Sequence, residues 1–215
     1  MSSRSAIRRL IRAFLRGFFR CCTRLEVRGS EHIPLEGGIV VAMNHLGHLD
    51  PLLVIAALPR ESEVIALADL YRVPITGQAI RLYDVIPVQR DQLDRNVIRR
   101  SLAALQAGMP LIMAPEARQS LTGALEKARH GAAYLAWHAD VPVLPIAITG
   151  TAASEAYAAF RRLRRPRLTI TFGPPFRLPP REASMSRGEY LELATEQIMR
   201  RIAAMLPDEY RGYYR

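Results

Sequence analysis

Gly38-Ile39-Val40-Val41-Ala42-Met43-Asn44-His45-Leu46-Gly47-His48-Leu49-Asp50-Pro51 passes from an apolar run through a polar turn into a helix start. Gly38 to Met43 reads as a buried strand, because it is short, continuous and rich in β-branched residues. Asp50 suits a helix N-cap and Pro51 the first turn. A strand that hands over to a helix is the building unit of α/β folds, which gather their chemical groups at strand ends.

Working outward, the same alternation repeats. Leu25 to Arg28, Glu63 to Ala68, Val85 to Val88, Leu111 to Ala114, Val141 to Ile148 and Leu168 to Phe172 read as strands. A short helix is expected before Asp84. Val97, Ile98, Leu102 and Leu105 make a helical face that Gly108 ends. Leu125, Ala128, Ala132 and Leu135 mark the next helix. Ser186 and Glu189 form a capping box for the last, with Leu191, Ala194, Ile198, Ile202 and Met205 inward. The pattern predicts one layered α/β domain over residues 25–215, with a central largely parallel or mixed sheet flanked by helices.

Residues 1–24 form a separate unit, an amphipathic helix. Ile7, Leu10, Ile11, Phe14, Leu15, Phe18 and Phe19 recur at helical spacing. Arg4, Arg8, Arg9, Arg12, Arg16 and Arg20 fill the remainder, with no acid among them. Such a helix can lie flat at an anionic bilayer, apolar side down. The competing arrangement packs that apolar side on the domain. No run reaches the ~18–20 apolar residues that span a bilayer. Arginines scattered through the apolar segment do not fit a cleaved secretory leader. The expected location is therefore peripheral or monotopic, on the cytoplasmic face of the membrane.

With 215 residues, 49% hydrophobic and 23% charged, the chain can bury one full core, and wholesale disorder is excluded. Thirty Lys and Arg against twenty Asp and Glu give a net charge of +10, so the chain should meet a polyanion. Nucleic acid fits poorly, because the basic residues concentrate on one helix and do not interleave with exposed aromatics. A further basic run, Arg161 to Arg167, sits between elements and suits either a solvated loop or a headgroup contact. The two cysteines, Cys21 and Cys22, are neighbours, so they imply no disulfide framework and suit a reducing compartment.

The strand-end segment carries the chemistry. Histidine moves protons near neutral pH. A carboxylate on its far nitrogen fixes the tautomer and stabilises the imidazolium. The five-residue spacing from His45 to Asp50 lets a helix start bring such a carboxylate back to the ring. By spacing alone, His48 is a rival base, and Asp50 could simply cap its helix. His32, His130 and His138 show no ligand spacing, so a metal site is not expected.

The segment N-H-L-G-H-L-D-P resembles the H-x4-D signature of the glycerolipid acyltransferases. Three later segments resemble that family's motifs in order: Ile86-Pro87-Val88-Gln89-Arg90, Pro115-Glu116-Ala117-Arg118-Gln119-Ser120 and Val141-Pro142-Val143-Leu144-Pro145-Ile146. The likeness covers residues 25–175. It implies transfer of a fatty acyl group from a thioester, on coenzyme A or acyl carrier protein, to a hydroxyl of a lysophospholipid such as 1-acylglycerol 3-phosphate, giving phosphatidic acid. Another lysolipid or glycerol-based acceptor is the alternative. By that likeness His45 is the general base and Asp50 orients it, while Arg90, Glu116 and Arg118 bind the acceptor. No bound cofactor is implied, and no acyl-enzyme, in keeping with the lack of a G-x-S-x-G nucleophile elbow. The chain departs from the family pattern in two places. Asp84 stands where the second motif commonly has glycine. Ala117, Arg118 and Gln119 replace Gly, Thr and Arg, so the third motif's basic side chain has moved by one position.

Overall fold

A computed structural model describes residues 3–89 and 94–215. Seven strands make one sheet: β1 (Arg24–Arg28), β2 (Ile39–Met43), β3 (Glu63–Leu67), β4 (Ile86–Val88), β5 (Pro110–Met113), β6 (Val143–Thr149) and β7 (Arg167–Phe172). Their spatial order is β1-β7-β6-β2-β5-β3-β4. All pairings are parallel except that of β6 with β7. The expected layered, largely parallel sheet is the one observed.

The helices are α1 (Ser3–Cys22), α2 (Leu49–Ala57), α3 (Thr76–Tyr83), α4 (Arg95–Gln106), α5 (Gly131–Ala139), α6 (Ala153–Arg161) and α7 (Arg187–Ala204). They cover both sheet faces, so the central strands alternate between two cores. On β2, Val40 and Ala42 face α4, α5 and α7, where Leu105, Leu135, Ile198 and Ile202 are buried. Ile39, Val41 and Met43 face α1 and α2, where Phe19, Leu53 and Val54 are buried. A strand buried on both sides has no polar position, which is why β2 reads as an unbroken apolar run.

Local chemistry fixes the helix ends. The Asp94 side chain accepts the N–H groups of Asn96 and Val97 and starts α4. Ser186 and Glu189 make the expected capping box at α7. Gly108, at φ 79°, follows α4. The helix expected from Leu125 begins only at Gly131. Leu125 and Ala128 are buried, but their backbone is committed elsewhere. Leu125 N–H donates to Tyr210, Ala128 N–H to the Tyr214 hydroxyl and Arg129 N–H to Pro115. Those bonds replace the helical ladder, so the apolar spacing records core contacts of an extended strap. Helix α6 (Ala153–Arg161) had no counterpart among the expected elements.

Helix α1 divides its apolar side. Leu15 and Phe19 are buried in the domain, and Phe18 meets Phe160 of α6. Leu10 and Phe14 stay 72% and 70% exposed. The arginine side is not uniformly solvated either. Arg8 and Arg12 are buried, Arg8 paired to Glu63 at 2.7 Å and Arg12 donating to the Leu58 carbonyl. A single membrane-facing apolar side is thus corrected: the domain takes the larger share. Leu58 is the residue that ends α2, and its carbonyl accepts from both Arg12 and Arg16. Arginine heads complete that helix end while their stems cover apolar surface.

Candidate active site

The site forms where β2 ends. Asn44 is buried, and its amide copies a strand partner: it donates to the Ile148 carbonyl at 2.9 Å and accepts the Ile148 N–H at 2.7 Å. This ties the end of β2 to β6 and aims the next residue outward. Nothing in the sequence singled out Asn44, since the role depends on a residue 104 positions away.

His45 Nδ1 lies 2.8 Å from Asp50 Oδ2. That oxygen also accepts the N–H groups of Leu46 at 2.6 Å and Gly47 at 2.7 Å. Asp50 was expected as the N-cap of α2; instead it is the second residue of the helix and fully buried. Its carboxylate turns back to the preceding loop and leaves the next turn's donors alone. With Oδ2 already accepting two backbone N–H groups, the His45 ring presents its Nδ1–H to the same oxygen, which fixes the tautomer and the ring's orientation. Nε2 is left to face outward, with the His45 side chain 19% exposed.

His48 lacks such a partner. It is exposed, and its Nδ1 pairs with the Gln119 amide at 2.8 Å. Of the two histidines in the motif, only His45 meets a carboxylate.

The loop after β5 clamps His45 from the other side. Glu116 Oε1 accepts the His45 N–H, Oε2 accepts the Glu126 N–H, and Ser120 N–H donates to the His45 carbonyl. Glu116 is 4% exposed. It was expected to hold an acceptor hydroxyl, yet both its oxygens are spent on backbone. Burial pushes its carboxyl up to about 7, against the two N–H donors that favour the carboxylate. Ala117, in the motif's usual glycine position, sits at φ 59° in the left-handed region, the conformation that glycine adopts without strain.

Arg118 points its Nε at Glu126 Oε2, 2.7 Å away. Glu126 also accepts the Leu121 N–H and so closes the loop. Arg118 is half-exposed in this pairing. Arg90, the remaining expected acceptor contact, lies outside the described residues. Among the described residues, no three His, Cys, Asp or Glu side chains gather where a metal ion could be held.

A mostly parallel α/β sheet with a histidine at a central strand end, backed by a buried carboxylate five residues on, defines the H-x4-D class of proteins. Residues 24–149 match the acyltransferase family, and the chain belongs to it. Among its relatives, the human 1-acyl-sn-glycerol-3-phosphate acyltransferase alpha is 31% identical over 129 residues, which are 59% of this chain and 46% of that protein. A chloroplastic 1-acyl-sn-glycerol-3-phosphate acyltransferase of Brassica napus is 26% identical over 133 residues, 60% of this chain and 38% of that protein. The chain therefore spans less than half the length of either. The crystal structure of the 1-acyl-sn-glycerophosphate acyltransferase of Thermotoga maritima superposes with a TM-score of 0.67, at 21% identity, over 94% of this chain and 81% of that one. That likeness shows a shared fold.

Proposed function

We propose that this protein transfers a fatty acyl group from a thioester to the free hydroxyl of 1-acylglycerol 3-phosphate, giving phosphatidic acid. The observation that carries the reading is the His45–Asp50 pair at the end of β2, within a family whose similar members bear that name. His45 Nε2 removes the acceptor's hydroxyl proton. The oxygen attacks the thioester carbonyl, the C–S bond breaks, and the imidazolium returns the proton to the leaving thiolate. Asp50 holds the tautomer and balances the imidazolium charge. A base so placed contributes about 10²–10⁴-fold in rate. Glu116 acts by fixing the His45 backbone, and Arg90 and Arg118 are the cations for the acceptor phosphate.

The thioester is carried by coenzyme A or acyl carrier protein, and no bound cofactor takes part. The reaction takes place at an anionic membrane surface on the cytoplasmic side. Exposed Leu10 and Phe14, with the cationic flank of α1, support surface contact; among the described residues no helix is long and apolar enough to cross a membrane. The pairing of Arg118 with Glu126, and a neutral Gln119 in the usual arginine place, favour one second reading: the same chemistry on a lysolipid without a terminal phosphate.

The test offers purified protein acyl-CoA and acyl carrier protein donors with a panel of lyso-acceptors, and identifies products by mass spectrometry. Phosphatidic acid from 1-acylglycerol 3-phosphate is the expected product. Turnover confined to phosphate-free acceptors selects the second reading, and no turnover on any acceptor overturns both.

A further inference from the structure

A groove of about 450 Å³ opens between the C-terminal part of α1, strand β1 and the end of α2, a volume within the range of ordinary ligand pockets. It lies apart from the histidine centre. Ala56 and Ala57, which line it, sit at the far end of α2 from Asp50, about 10 Å along the helix axis at ~1.5 Å per residue.

Its chemistry is two-sided. Phe19, Leu25 and Val27 give it an apolar floor, and Arg16, Arg20, Arg24 and Arg165 give it a cationic rim with no acid in the lining. Two of the four guanidiniums are already held by backbone: Arg16 by the Ala56 and Leu58 carbonyls, Arg165 by those of Arg20 and Thr23. They are stiff and fixed in place. Arg20 and Arg24 are exposed, and their guanidiniums have no hydrogen bond or ion pair among the described residues. Converging cations without a counter-charge repel one another unless an anion joins them.

Apolar groups flank the groove on both sides. At helical spacing, Leu10, Phe14, Gly17 and Cys21 form one exposed stripe on α1, with Arg9, Arg16 and Arg20 along a single edge of it. On the other side, the loop that carries Arg165 lifts Leu163 to 96% exposure, at φ 54°, between the exposed Arg161, Arg162 and Arg164. A leucine held outward in a backbone conformation that costs it energy suits an apolar phase, not water.

We propose that this groove binds one acidic phospholipid of the bilayer, its phosphate between Arg20, Arg24 and Arg165 and the start of one acyl chain along Phe19, Leu25 and Val27. Leu10, Phe14 and Leu163 enter the surrounding lipid. The site anchors and orients the domain and is separate from the acceptor's site. The apolar floor and flanking prongs choose membrane lipid over a soluble anion. The inference shares with the proposed function only the premise of work at a membrane.

Three variants of the full chain test it. Arg20→Glu with Arg24→Glu reverses the two unpaired cations. Val27→Trp fills the floor without changing charge. Arg95→Glu with Arg99→Glu makes the same charge change on exposed α4 positions, on the other sheet face. Each basic residue at an anionic surface contributes about fivefold in binding, so the first variant should lose roughly 25-fold or more in partitioning to phosphatidylcholine vesicles containing phosphatidylglycerol. The α4 control should lose less than about threefold, since its charges sit away from the surface. Dihexanoyl phosphatidylglycerol, titrated as monomer, should bind the parent chain saturably and neither groove variant. Equal losses in the control overturn the proposal, as does lipid binding that survives both groove variants. Inorganic phosphate binding as tightly as the lipid overturns it too. Coenzyme A binding that is lost in the groove variants, without any lipid binding, gives the groove to the acyl carrier instead. Acyl transfer to detergent-dispersed acceptor separates the two readings. If the parent chain has none but the lipid results hold, the proposed function fails and the groove stands. If turnover persists in Arg20→Glu/Arg24→Glu while parent and variant bind lipid alike, the groove fails and the proposed function stands.

Discussion

Glu116 Oε1 accepts the backbone N–H of His45 at 3.0 Å, so a buried carboxylate sets where the histidine backbone sits. Its carboxyl is raised from 4.5 to about 7 by burial. A raised acid binds its proton more tightly folded than unfolded. Its favourable contribution is therefore complete below pH 4.5 and is lost as pH rises through 7. Glu116→Gln cannot titrate. The stability of the parent chain relative to that variant should fall by about 3 kcal/mol between pH 4.5 and pH 7.5. Urea unfolding across that range measures it, and a flat difference would mean that Glu116 stays ionised throughout.

The pairing of His45 with Asp50 predicts an uneven mutational pattern. His45→Ala should lower kcat by about 10²–10⁴-fold with the fold intact, because it removes the base and little packing. Asp50→Asn should lose activity and also stability, by about 1–3 kcal/mol, because its buried oxygen serves three donors. His48→Ala should be mild, since the ring is exposed and bonds only Gln119. Steady-state kinetics with thermal melts check all three, and a larger loss at His48 than at His45 would move the base.

Arg118 is tied to Glu126 through an exposed pair, a kind of contact worth little in water. Its head is thus free to turn to an acceptor phosphate. Arg118→Ala should lower kcat/KM for a phosphate-bearing acceptor about ten- to hundred-fold, the value of a charged hydrogen bond of ~1.5–3 kcal/mol, and leave a phosphate-free acceptor nearly unchanged. Kinetics on matched acceptors decide it. Equal losses on both would confine Arg118 to shaping the loop.

Helix α1 is part of the domain as well as a surface element. Deleting residues 3–22 should destabilise the protein and not merely release it from lipid, since Leu15 and Phe19 leave the core and the Leu58 carbonyl loses two donors. Arg8→Ala alone should cost about 3–5 kcal/mol, because Glu63 is left largely buried without its partner. Leu10→Glu with Phe14→Glu should leave the melting temperature within a few degrees and weaken vesicle binding, as both side chains are exposed. Melting curves and sedimentation with vesicles separate these effects. A deletion variant as stable as the full chain would show that α1 adds nothing to the core.

The sequence by itself determined the layered α/β class and the succession of strands along the chain, while spacing left His45 and His48 as rivals and only the resemblance to the H-x4-D motif favoured His45 with Asp50. The class and the strands rest on short-range signals, apolar periodicity and capping residues such as Ser186 and Glu189, whereas the contact between His45 and Asp50 is seen only in the folded loop. Only the tertiary structure decided which groups share a partner. Asn44 meets Ile148, Glu116 meets the His45 backbone, and Leu125 gives up its helix for Tyr210 and Tyr213. The division of α1 between core and surface belongs here too. Its arginines and its apolar residues are periodic in the sequence. Whether a periodic side is buried depends on the surface that comes to lie against it, here Leu58, Glu63 and Tyr83. A hydrogen bond is worth making only where both partners are desolvated together, and that condition is set by packing between residues far apart in the chain.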